Sequence, residues 1–281
     1  MQNDLLRQKA AQLRHLVLDT YEAGKMGHIS SSFSCVEIMT ALFYGGVMRF
    51  RPAEPTWEQR DRFLLSKGHA GILYYSVLAD LGYFPLSELS DYGKRGSQLG
   101  VHVDYRVPGV EASSGSLACG FGIAAGMALA AKLDQKNHLV FALLGDGECY
   151  EGAIWETAMH AAHYRLNNLV TIVDHNHMCC SGFIEDNVAM ESLEQKWRAF
   201  GFEVISVDGH NLEDLLRAFS GIRCRKSAKP LCIIADTVKA KGLGSVENTP
   251  LCHNYAPNSS EAIAAARNEL ERSESGYACN A

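Results

Sequence analysis

Two apolar runs, each stopping at residues able to hold an ion, constrain this chain more than anything else in it. His138–Leu144 ends at Gly145-Asp146-Gly147, and Leu169–Val173 ends at Asp174-His175-Asn176. Between them, from about Glu151 to about Tyr164, apolar residues recur at helical spacing. A strand–helix–strand unit in one sheet is parallel with a right-handed crossover. Ligands of such sheets gather beyond the carboxyl ends of the strands. Asp146 and Asn176, thirty residues apart (176 − 146), therefore face one another at two strand ends. A carboxylate and an amide oxygen suit a hard cation. Magnesium fits best, because it takes few protein oxygens and fills its shell with water and phosphate oxygens; calcium and manganese accept the same donors. Taken singly, each residue has a plainer reading, Asp146 as a turn or cap aspartate and Asn176 as a turn residue.

Composition removes several classes of partner. The net charge is −6 without a basic block, which argues against nucleic acid and anionic membranes. No apolar run approaches the roughly 18 residues that span a bilayer, and the MQNDLLRQKA start has no secretory h-region. Nine cysteines form no CxxC framework, so they read as reduced thiols of a cytosolic protein. At 281 residues the chain holds one large α/β domain or two small ones.

Elsewhere the pattern predicts a helix over Asp4–Glu22, a break at Gly24–Gly27, and His28 before Ile29-Ser30-Ser31-Ser32. Those serines are expected to cap a helix over Cys35–Tyr44. A strand over Asp61–Ser66 should run into Ser66-Lys67-Gly68-His69-Ala70 and a helix over Gly71–Leu81. A loop-rich stretch carrying His102 follows, then Gly115-Ser116-Leu117 and a helix over Ala118–Lys132 whose small residues let another backbone approach. Gly120-Phe121-Gly122 is a poor dinucleotide fingerprint, since no strand precedes it and its glycines fall within the helix. That removes a nicotinamide oxidoreductase. Further on come helices over Glu191–Phe200 and Leu212–Gly221, strands over Glu203–Val207 and Leu231–Ala235, and a tail with one amphipathic stretch from Glu261 that frays at Ser273–Gly276. His160 with His163, and His175 with His177, are expected to be packing or bordering residues.

A Gly-Asp-Gly with an Asn about thirty residues on looks like the thiamine diphosphate signature. Gly145-Asp146-Gly147-Glu148 followed by Glu151-Gly152 resembles the amino-terminal half of transketolase, particularly the split, two-subunit kind. The resemblance runs from about His28 to about His253. It implies a three-layer α/β fold, a parallel sheet with helices on both faces, over residues 1–255, with 256–281 as a partly frayed extension. It also implies thiamine diphosphate with Asp146, Asn176 and the Met178 carbonyl on the metal. His69, Gly115, Ser116, Leu117, Gly145, Gly147, Glu148, Glu151, Asn176 and His253 would contact the cofactor. His28, His102, Glu151 and His253 would be catalytic, with Glu151 in a carboxylate network across a subunit boundary. Three motifs depart from the family pattern: Gly-His-Pro-Gly reads Gly27-His28-Ile29-Ser30, Gly-His-Pro reads Val101-His102-Val103, and Trp-His-Gly reads Cys252-His253-Asn254. Asp236–Gly244 resembles the family's Thr-x-Lys-Gly-x-Gly run, whose lysines and glycines line the cofactor mouth.

The implied reaction moves a two-carbon ketol unit from a ketose, normally a phosphate, to an aldose. The family's pyrimidine-activating glutamate lies on a second domain that has no counterpart here. A separate carboxyl-terminal subunit is therefore expected, within an α2β2 heterotetramer. The alternatives are a non-catalytic or regulatory subunit that keeps the cofactor fold, and an enzyme resembling deoxyxylulose-phosphate synthase.

Overall fold

The two apolar runs do form neighbouring parallel strands, in register from Val140 opposite Leu169 to Gly145 opposite Asp174. The computed structural model describes residues 2–190 and 192–278. The chain begins with α1 (Gln2–Gly24), α2 (Ile29–Phe33) and α3 (Val36–Tyr44), then β1 (Arg62–Leu65) and α4 (Gly71–Asp80). Next come α5 (Cys119–Leu133), β2 (Val140–Gly145), α6 (Gly152–His163) and β3 (Leu169–His175). A two-strand hairpin of β4 (Met178–Cys179) and β5 (Gly182–Phe183) leads to α7 (Ile184–Asn187) and α8 (Leu193–Ala199). The last elements are β6 (Glu203–Asp208), α9 (Leu212–Phe219), β7 (Leu231–Asp236) and α10 (Ser260–Ala278).

Five strands form one sheet in the order β1-β2-β3-β7-β6, and each pairing within it is parallel. Burial on both faces explains why β2 and β3 read as continuous apolar runs. Alternate residues feed two cores. Phe141, Leu143, Val170, Ile172, Leu231 and Ile233 pack with α1, α3, α4 and α9. Val140, Ala142, Leu144, Val173, Cys232 and Ile234 pack with α5, α6 and α8, around Trp197 and Phe121. The three layers are thus helices, sheet, helices. No helix among the described residues is long and apolar enough to cross a membrane.

Two expectations are corrected, the serine caps and the start of α8. Ser30, Ser31 and Ser32 are not caps: they lie inside α2, and α3 starts after Cys35 with no side-chain cap bond. Burial holds them there, with Ser30 donating its hydroxyl to the Cys252 carbonyl. The tail is helical through Ala278, and its Ile263, Ala266 and Leu270 enter the same core as α1. The helix expected from Glu191 begins at Leu193, and Glu191 itself lies outside the described residues.

Candidate functional site

Asp146 follows β2 directly and is 1% exposed. Its Oδ1 accepts from the Gly147 amide at 2.7 Å, and its Oδ2 accepts from the His177 amide at 2.6 Å and lies 3.1 Å from His175 Nδ1. Among the described residues no lysine or arginine pairs with it, so a buried anion is left with lone pairs to spare. Asn176, also buried, donates its Nδ2 to Asp174 Oδ2 at 3.0 Å, which leaves Oδ1 facing the Met178 amide at 3.2 Å. The Met178 carbonyl lies 3.6 Å from where a Cβ on Gly147 would fall. That Cβ would also meet Cys179 Cβ at 3.1 Å, so the neighbour would have to give by a few tenths of an ångström. The carboxylate, amide oxygen and carbonyl are hard donors of the type that magnesium, calcium and manganese take. No three His, Cys, Asp or Glu side chains converge as a metal cluster among the described residues. An ion here would depend on the amide and backbone oxygens beside the single carboxylate.

Four histidines from four separate segments come together. His28 precedes α2, His69 sits in a short 3-10 turn before α4, His102 lies in the long loop, and His253 lies in a 3-10 turn after β7. The His28 ring centroid is 4.7 Å from that of His69, 5.8 Å from His253 and 6.4 Å from His102; His69 and His102 are 5.3 Å apart. Gly68 makes this approach possible, since a Cβ there would lie 2.9 Å from the Gly115 nitrogen. Gly115 in turn packs on the His102 ring, so the Gly115-Ser116-Leu117 turn borders the cluster. Burial, then the neighbouring imidazoles and Lys67, push His69 down to about 4. Burial, then Lys239 and His28, push His253 to about 4. Both rings are neutral at pH 7, each able to donate one hydrogen bond and accept another.

Beneath the strand ends lies a set of charges that sequence reasoning did not single out. Lys67 pairs with Asp174, which also accepts from Ser34 Oγ at 2.7 Å and from the Thr237 hydroxyl. Burial opposes both charges, yet each partner outweighs it: Lys67 stays above the usual lysine range and Asp174 below the usual carboxylate range. Lys239, 4% exposed, reaches within 3.2 Å of His253 Nδ1, and burial and then Lys67 lower its pKa. The Ser66-Lys67-Gly68-His69 run and the Thr237-to-Gly244 run carried these lysines in plain view; the signal was their place beside functional motifs.

Glu148, expected to bind cofactor, is turned inward: Oε1 accepts from Ser66 Oγ at 2.5 Å and the Ala118 amide at 2.8 Å, and Oε2 from the Gly145 amide at 3.0 Å. It ties together the ends of β1 and β2 and the start of α5. Glu151 is exposed at the start of α6. His175, expected only to border the pocket, touches Asp146 directly. His160 and His163 pack on Tyr164 at the far end of α6.

Residues 6–277 match the family described as transketolase, thiamine diphosphate binding domain. Fold and family match together define a parallel α/β domain that binds thiamine diphosphate. The chain is 40% identical over 252 residues to the 6-deoxy-6-sulfo-D-fructose transketolase subunit SqwG of Clostridium sp. (strain MSTE9), covering 89% of this chain and 90% of that protein. It is 35% identical over 274 residues to an apulose-4-phosphate transketolase subunit from Phocaeicola vulgatus, covering 98% and 97%. The crystal structure of transketolase from Campylobacter jejuni superposes with a TM-score of 0.88 at 32% identity, covering 95% of this chain but 43% of that one. The chain therefore belongs to the transketolase family and corresponds to its amino-terminal part, spanning less than half of a transketolase such as that one. These relatives favour the transketolase reading over a regulatory subunit or a synthase-like enzyme.

Proposed function

We propose that this chain is the cofactor-binding subunit of a split transketolase, moving a two-carbon ketol unit from a ketose donor, normally a phosphate, to an aldose acceptor. The observation that carries this is the oxygen set of Asp146, Asn176 and the Met178 carbonyl at adjacent strand ends, on a chain that also gathers four histidines. Asp146, Asn176 Oδ1 and the Met178 carbonyl would hold magnesium, with calcium or manganese as substitutes. Gly145 and Gly147 would keep side chains away from the backbone where a diphosphate would lie, and His69, His253 and Lys239 would contact it. Gly115, Ser116 and Leu117 would border the cofactor rings. His28 and His102 would face the sugar as hydrogen-bonding groups. Bound thiamine diphosphate supplies the electron sink for breaking and re-forming a carbon–carbon bond. The protein's part is orientation, desolvation and proton placement around it.

The pyrimidine-activating glutamate would come from a separate carboxyl-terminal subunit in an α2β2 assembly. Glu151 at the start of α6 is exposed, as are Ile123 and Leu133 on α5 and Met159 on α6, which suits burial against a partner. The subunit names of the two relatives support a two-chain enzyme. Eight described cysteines, all unpaired, support a reducing, cytoplasmic setting. The test is co-purification with the native partner and assay of the pair with thiamine diphosphate, magnesium and a panel of ketose donors. The pair is expected to turn over a ketose and the isolated chain to be inactive. Turnover by the purified chain alone, or a pair inert toward every donor, would contradict the proposal.

A further inference from the structure

Arg14 of α1, Glu37 of α3 and His210 of the β6–α9 turn form a hydrogen-bonded chain, with His210 half-buried, that ends on the backbone beside the site. Arg14 Nη1 pairs with Glu37 Oε1 at 2.7 Å, and Arg14 also donates to the Phe33 carbonyl. Glu37 Oε2 lies 2.9 Å from His210 Nδ1, and His210 Nε2 lies 2.8 Å from the Val238 amide nitrogen. That amide can only donate, so Nε2 accepts and the imidazole proton sits on Nδ1, donated to Glu37. One neutral tautomer satisfies both partners. The side chains of His210 and Glu37 are 15% and 11% exposed. Burial works against the Glu37 charge, but Arg14 and His210 outweigh it and hold the carboxyl at about 2. The acceptor that His210 needs is thus ionised at working pH.

The gripped amide belongs to the residue before Lys239, two positions beyond the end of β7, where the sheet no longer supplies a partner. The segment has other fastenings: the Thr237 amide donates to the His175 carbonyl at 2.9 Å and its hydroxyl to Asp174, the Lys239 carbonyl accepts from the Asn248 amide at 3.1 Å, and the Ala240 amide donates to the Ser30 carbonyl at 3.2 Å. His210 adds a hold on the Val238 amide, directly before Lys239. Lys239 then projects from a backbone held at each residue from Thr237 to Ala240 towards His253 Nδ1.

We propose that His210, oriented by Glu37 and Arg14, is a positioning residue that sets Lys239 against His253. The proposal rests on reading that site as a transketolase's, and it adds a remote residue to it. His210→Ala removes both bonds. His210→Gln keeps them, since the amide oxygen can accept from Val238 and the amide NH2 can donate to Glu37. In the wild-type full chain, a nitrogen–nitrogen coupling across the hydrogen bond between Val238 and His210 Nε2 should be visible by NMR. In H210A the His253 imidazole should titrate higher, as the lysine ammonium withdraws. In the assembled two-subunit enzyme, kcat should fall roughly tenfold with little change in donor KM. H210Q should restore both readings. Absence of the coupling, an H210A variant with wild-type titration and kcat, or an H210Q variant as impaired as H210A would each overturn the proposal. If the wild-type pair shows no thiamine-dependent turnover, the functional reading falls alone, because the coupling and the His253 titration are measured without cofactor.

Discussion

Lys67 and Asp174 form an ion pair sealed under the candidate metal site, their side chains 6% and 0% exposed. The pair joins the end of β1 to the end of β3. Asp174 also takes a bond from Asn176 Nδ2, and so decides which way that amide presents its oxygen. Two charges taken out of water persist only when each remaining hydrogen-bonding position is filled. Here Ser34, Thr237, Asn176 and the Ser31 carbonyl fill them.

Removing one partner therefore does more harm than removing both. Lys67→Met leaves a carboxylate buried without compensation and should destabilise the chain by about 3–5 kcal/mol. Adding Asp174→Asn should recover a large part of that loss. Urea unfolding of the two variants measures the difference; equal stability of the single and double variants would show that the pair is not under strain of this kind.

Gly147 is the second sensitive point. A methyl group there would fall 3.1 Å from Cys179 Cβ and 3.3 Å from Cys179 Cα, so the hairpin carrying the Met178 carbonyl has to move. Gly147→Ala should weaken magnesium-dependent cofactor uptake at least tenfold while lowering stability by only about 1–2 kcal/mol, within the usual range for overpacking. Calorimetric titration of the assembled complex, beside a denaturant curve, separates the two effects.

How much of this was readable beforehand follows from what carries each signal. The strands β2 and β3 were plain, because parallel strands buried on both faces leave unbroken apolar runs, and their polar stops named Asp146 and Asn176. The four histidines stood out only through family resemblance, since nothing local distinguishes a ligand-facing histidine from a solvated one. Lys67 and Asp174 escaped notice because their partnership spans 107 residues. Glu148 was named only through family resemblance, and its three donors, Ser66, Ala118 and Gly145, come from segments whose meeting the local sequence does not show. Ser30 to Ser32 looked like caps because local propensity could not show that Cys252 would come to meet them.

The histidine cluster also predicts an acid sensitivity. An unfolded imidazole takes up a proton near 6.5, whereas His69 and His253 wait until about 4 when folded. Between those values the unfolded state binds more protons, so stability falls as pH drops from about 6.5 to about 4 and is unaffected by these groups above that window. Replacing both by asparagine should flatten this part of the stability–pH curve. A double variant with the same slope as the wild type between pH 6.5 and 4 would assign the sensitivity to other groups.

The central claim is that the oxygens at positions 146, 176 and 178 hold the ion that tethers the cofactor. It is tested most directly by the melting temperature of the assembled complex with and without thiamine diphosphate and magnesium, for the wild type and Asp146→Ala. At about 100 times its dissociation constant the cofactor should stabilise the wild type by roughly 2.7 kcal/mol, and the shift should vanish in the variant while its cofactor-free stability stays close to wild type. An Asp146→Ala complex that keeps the full magnesium-dependent shift would contradict the account.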